Sequence, residues 1–138
     1  VGVLAAALAL LISPAATYAD GPRIDQISTN AASYPNDEIP RYKKFEITFQ
    51  VETGAQNLQL PYDPVPPPGI EPEIGISVDA LISPDNWQTV YRQPAFYYQA
   101  FRAEIKDGRE WFYPTGSFAW KVRFAPHRPG DWQFAQPE

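Results

Sequence analysis

The chain has 138 residues, of which 44% are hydrophobic and 14% aromatic, and a net charge of −5. That length suits one domain with an appendage, and sixteen prolines interrupt the sequence too often for long helices. The lack of cysteine excludes disulfides, thiol nucleophiles, iron–sulfur clusters and thiolate zinc sites, and the scattered basic residues, of which only Lys43 and Lys44 are adjacent, build no stripe for nucleic acid.

Residues 1–19 carry no charge. Val1 to Ile12 is an apolar run, Pro14 breaks it, and Thr17-Tyr18-Ala19 ends on a small residue. This is the pattern of the hydrophobic and cleavage regions of a signal peptide, cut after Ala19 or, as second choice, after Ala16. The run is shorter than the roughly 20 residues of a membrane-spanning helix, the competing reading. The chain starts at Val1 and contains no Met, so the segment reads as a remnant whose initiator and basic leader are missing. The expectation is a secreted protein, extracellular, surface-bound or periplasmic, free of the membrane once the remnant is removed.

Residues 20–41 form a polar, turn-rich segment, in which Ile24 and Ile27 hint at a short first strand. From Tyr42 to Glu52 the alternation is clear. Phe45, Ile47, Phe49 and Val51 share one face, and Lys44, Glu46, Thr48 and Gln50 the other. Thr53 to Glu73 reads as a long connection stiffened by Pro61, Pro64 and Pro66-Pro67-Pro68. Leu58, Leu60, Tyr62 and Ile70 are available to pin it to the core.

Ile74 to Ile82 alternates again and predicts a strand, followed by a turn at Ser83-Pro84-Asp85-Asn86 and a further strand over Trp87 to Arg92. Ala95 to Ile105 is rich in aromatics, and Asp107-Gly108 is a hairpin signal. Tyr113-Pro114-Thr115-Gly116 suits a type I turn, and Arg128-Pro129-Gly130-Asp131 a type II turn. Between them Phe118, Trp120, Val122 and Phe124 alternate with Ala119, Lys121 and Arg123, apolar groups inward and cations in water. Trp132 and Phe134 open a last strand. Seven or eight short strands without a helix argue for an all-β antiparallel sandwich.

No constellation of residues announces a reaction. Asp63, Glu71, Glu73, Asp79 and Asp85 lie in or beside the long loop. A glycosidase needs two carboxylates about 5 to 9.5 Å apart across a cleft, which a small sandwich seldom builds. Structural calcium is the one ion these oxygens suit, although no calcium-loop pattern accompanies them, and solvated loop charges are the better reading. His127, the sole histidine, sits in a turn without a serine elbow or further ligands. The segment is therefore expected to be non-catalytic, without cofactor or metal. Aromatics are in excess: alternation over Phe96, Tyr97, Tyr98 and over Trp111, Phe112, Tyr113 forces some of them outward. Tyr97 and Phe112 are the candidates for an outward patch, as a domain interface or a sugar-stacking surface.

Lys121 to Phe134, K-V-R-F-A-P-x-x-P-G-x-W-x-F, resembles the end of the bacterial family called domain of unknown function 5060. Matching segments occur in the same order upstream: Tyr42 to Phe49, Tyr62-Asp63-Pro64 with Pro66-Pro67-Pro68-Gly69, Gly75 to Ala80, and Pro94 to Gln99. Together they span about residues 40–134. The resemblance implies an immunoglobulin-like sandwich over residues 42–138, cut short at its C-terminal end. It implies a non-catalytic front module of a secreted protein whose downstream domain, glycoside-hydrolase-like, is its partner. The alternative is a carbohydrate-binding module that stacks polysaccharide on exposed aromatics. The family assigns no catalytic residue to this domain, so none is carried over.

Overall fold

The computed structural model describes residues 22–135, and the signal-peptide reading falls outside them. Those residues form seven strands: β1 (Arg23–Thr29), β2 (Phe45–Glu52), β3 (Asp79–Ser83), β4 (Tyr91–Pro94), β5 (Phe96–Lys106), β6 (Arg109–Phe124) and β7 (Gln133–Ala135). Two single 3-10 turns, Ala31–Ser33 and Pro35–Asp37, are the only helical pieces among the described residues. Every strand pairing is antiparallel. One sheet has the order β1-β2-β6-β5 and the other β4-β3-β7. The expected all-β, antiparallel class is what the chain adopts.

The two sheets meet over one core. Ile47 and Phe49 of β2, Trp120 and Val122 of β6, Ala80 and Ile82 of β3, and Ile76 from the preceding loop are all buried. The alternation in β2 and β6 sets this arrangement, because period-two side chains put one apolar set on one face. The register then matches the faces: Ile47 lies opposite Val122 and Phe49 opposite Trp120. Phe45 reaches across to Phe134 with ring centroids 5.8 Å apart.

Several boundaries differ from the sequence expectation. The anticipated boundary at residue 42 falls inside the first sheet, because β1 pairs with β2 from Arg23↔Glu52 to Thr29↔Ile47. Ile74 to Val78 alternates yet is not a strand: its backbone serves the long loop instead. The Ile74 carbonyl accepts from the amides of Gln56 and Asn57, and the Ile76 amide donates to Leu60. Gly75 lies so close to this loop that a Cβ there would overlap the carbonyl oxygen of Pro61. The second anticipated strand starts at Tyr91, not Trp87, because Asn86 and Trp87 take positive φ in the preceding turn.

The turn expected at Tyr113–Gly116 is absorbed into β6, which runs unbroken through Pro114. Proline is tolerated there because β2 pairs with β6 only from Trp120 to Phe124, so no second neighbour needs the missing amide. The strain is taken up next to it. The register against β5 shifts between Tyr98↔Ala119 and Ala100↔Thr115, and Gly116 sits at φ 67°. The type II turn anticipated at Arg128–Asp131 is not formed, since Gly130 lies at φ 148°, far from the value that turn requires. The Asp107-Gly108 hairpin forms as its sequence demands, with both residues at positive φ and Lys106 opposite Arg109.

Candidate functional site

β5 and β6 outrun the rest of the sandwich. Beyond the register shift they pair only with each other, from Ala100↔Thr115 to Lys106↔Arg109, and form a two-stranded arm. Antiparallel pairs share a face, so Phe101 with Pro114, Ala103 with Phe112 and Ile105 with Glu110 lie on one side. Arg102 with Tyr113, Glu104 with Trp111 and Lys106 with Arg109 lie on the other.

These faces differ in chemistry. The second face is polar and internally tied. Glu104 forms ion pairs with Arg102 and Lys106, and the Lys106 ammonium donates to the Tyr113 hydroxyl at 2.7 Å while lying over its ring. That hydroxyl contact and then Glu104 push the Lys106 ammonium above its ordinary pKa. The first face is apolar save for Glu110 at its tip. Phe101 is 57% exposed, Phe112 62% and Ile105 81%. By period two along β6, Phe112 and Pro114 stand on the same side as Trp120 and Val122, the side that faces the core. The apolar arm face is thus the inner face of the first sheet, continued past the point where the second sheet covers it.

Tyr97 and Phe112, the two residues singled out from sequence, belong to this same face but to different parts of it. Phe112 is in the uncovered part. Tyr97 is opposite Trp120, packs against the core, and stacks on Phe118 with centroids 4.7 Å apart. Its orientation is therefore inward: the buried Trp120 fixes the face of its cross-strand partner. Phe96 and Tyr98 point the other way, where Arg123 lies over both rings and Lys121 over Tyr98. Sequence reasoning missed Phe101 and Ile105 as members of the patch. Their odd-number spacing with Tyr97 was a signal that points to them.

The outer face of the first sheet carries a charge network. Glu46 accepts hydrogen bonds from Lys121 and from Arg123, the latter at 2.7 Å, and pairs with Lys44. Burial alone would raise the Glu46 carboxyl. The bonds from Lys121 and Arg123 and the charges of Lys121 and Lys44 together outweigh it and hold the group at about 2. Lys121 is consequently half-buried and bonded, not a free lysine in water.

The acidic residues of the long loop and its surroundings serve local structure. Asp79 binds Arg92, Glu73 accepts the Tyr62 hydroxyl, and Asp63 accepts the Val65 amide. Asp85 organises the β3–β4 turn through both the amide and hydroxyl of Thr89, with Arg128 and Ser83, and these bonds lower it to about 2. Among the described residues no group of three or more His, Cys, Asp or Glu side chains is placed to hold a metal ion. His127 lies at the surface, edge-on to Tyr91 and Trp132. No described helix is long and apolar enough to cross a membrane. No family model matches the chain, and no curated protein or solved structure matches it.

Proposed function

We propose that the chain is the front, non-catalytic module of a secreted, carbohydrate-active protein, and that the apolar face of its β5–β6 arm docks on the downstream domain of the same polypeptide. The single observation that carries this reading is the run of Phe101, Ile105 and Phe112, open to solvent on the face that elsewhere makes the core. An isolated two-stranded hairpin is marginally stable, and contiguous apolar surface of this kind marks an interface. The polar face of the arm, with its ion pairs, is the side suited to water.

The fold proposed for this module is immunoglobulin-like. The orders β1-β2-β6-β5 and β4-β3-β7 correspond to strands A-B-E-D facing C′-C-F of that architecture. The resemblance of residues 40–134 to a family of such modules supports the same reading and suggests a glycoside-hydrolase-like neighbour. A second reading, sugar stacking, has one supporting observation: Trp111 is half-exposed on the polar face of the arm. A lone ring beside the engaged Tyr113 is a poor platform for a polysaccharide, so this reading ranks second.

The test uses the natural full-length protein and its Phe112→Lys and Ile105→Asp forms. Docking requires that the charged side chains uncouple the two domains, so that one calorimetric transition becomes two, while the chain ending at Glu138 melts as before. Unchanged coupling in both variants sinks the docking reading. Retention of the short chain on insoluble polysaccharide, abolished by Trp111→Ala, would replace it with the glycan reading.

A further inference from the structure

The two sheets are unequal, and the inequality leaves an opening. Phe45 of β2 lies over Phe134 of β7, and Phe124 of β6 over Tyr91 of β4. With β2 facing β7, the remaining strand of the four-stranded sheet, β1, has no described strand opposite it. Its residue Thr29 pairs with the buried Ile47 and so shares the core-facing side, yet it is exposed. Among the described residues β7 pairs with β3 alone, through Leu81↔Ala135, Ile82↔Phe134 and Ser83↔Gln133, so its other edge carries unpaired backbone groups. A groove of about 660 Å³ runs between these elements, with Thr29, Phe45, Ile82, Phe124, Trp132 and Phe134 in its wall.

We propose that this groove is the seat of an eighth β-strand, laid antiparallel on the free edge of β7 and supplied by the polypeptide that follows Glu138. Edge pairing satisfies the β7 amides and carbonyls, and alternate apolar side chains fill the space beneath β1, as in other cases of strand addition. The same chain is the favoured source because β7 ends at the groove. A short hairpin from Ala135 returns along that edge at the lowest loop-closure cost. Residues 136–138 reach at most about 10 Å, enough for the turn but not for the strand. Charge defines the strand further. Asp37, Glu38 and Asp131 line the groove together with Arg41 and Arg128, and Arg128 is already engaged by Asp85 at 2.7 Å. The remaining balance is acidic, so the strand carries lysine or arginine at positions that point out of the groove.

The source of the strand rests on the reading of the chain as the front of a longer protein. The groove and the open edge do not. Two chains are compared: one ending at Glu138, and one continued about 15 residues along its natural reading frame, long enough for a turn and one strand. Backbone hydrogen exchange of Gln133–Ala135 is the readout. Exchange slows about tenfold or more in the longer chain, and Thr29→Arg, which places a charged side chain in the groove from an exposed position, reverses the protection. Equal exchange in the two chains overturns the proposal, as does a reading frame that stops within a few codons of Glu138. Protection that rises with concentration in both chains assigns the edge to a second copy and overturns it too. The added segment is too short to contain a downstream domain, so failure of arm docking leaves this readout untouched.

Discussion

Phe112 and Trp120 stand eight residues apart on the same face of β6, and one is 62% exposed while the other is 3% exposed. Identical backbone direction and similar chemistry thus give opposite environments. The cause is the reach of the second sheet, which covers Trp120 and stops short of Phe112.

The two positions are expected to respond differently to truncation. Trp120→Ala costs about 3 to 5 kcal/mol, as for large core aromatics. Phe112→Ala stays within about 0.5 kcal/mol in the chain ending at Glu138, as for surface changes. Denaturant melts check the pair, and comparable losses would contradict the covered and uncovered division. Trp120 offers a finer test, because its indole N–H is buried with no partner among the described residues. Trp120→Phe removes that donor along with some volume, so its cost falls well below that of Trp120→Ala, at about 1 to 2 kcal/mol.

Lys121 is expected to matter more than a surface lysine. It bonds Glu46 and Thr48 and lies over the Tyr98 ring. Lys121→Ala costs about 1 to 2 kcal/mol, because it strips a half-buried carboxylate of its partner. Lys43→Ala, at an exposed loop position, is the control and stays near zero in the same melts.

Acid stability follows from Glu46. Its carboxyl sits at about 2 in the folded chain against an ordinary 4.5. A depressed folded value means the unfolded chain takes up the proton first. The contribution is complete above pH 4.5 and is lost as pH falls from there toward 2, amounting to on the order of 2 kcal/mol. Melts at stepped pH should show this loss in the native chain, and Glu46→Gln should flatten part of it. An unchanged acid profile in Glu46→Gln would contradict the network.

Gly75 is expected to be irreplaceable. Any Cβ there overlaps the Pro61 and Leu60 carbonyl oxygens, which belong to backbone and cannot swing away. Gly75→Ala therefore displaces the loop that seats Ile76 in the core and costs about 2 kcal/mol or more. Gly54→Ala meets nothing within 4 Å and serves as the comparison by thermal melting.

Much of the fold was legible where the signal is local. β2 and the second half of β6 alternate cleanly, and Asp107-Gly108 marks its own hairpin. The sequence misled where long-range contacts decide. Ile74 to Val78 alternates, but the proline-rich loop claims its backbone bonds before a neighbouring strand can. Pro114 reads as a turn, yet it survives inside β6 because one flank of the arm has no partner. The candidate site was legible by half. Phe112 is exposed as expected, although it shares the core-facing side; Tyr97, expected to face outward, is turned inward by Trp120. Alternation tells which residues share a face, and only the lengths of the two sheets tell which part of that face is covered.

The most direct test of the docking claim is hydroxyl-radical labelling of Phe101, Ile105 and Phe112, compared between the chain ending at Glu138 and the natural full-length protein. Labelling of all three should fall several-fold in the full-length protein, while Trp111 on the opposite face of the arm labels equally in both. Equal labelling of the three apolar residues in the two proteins would contradict the account, because the arm would then have no partner in its own chain.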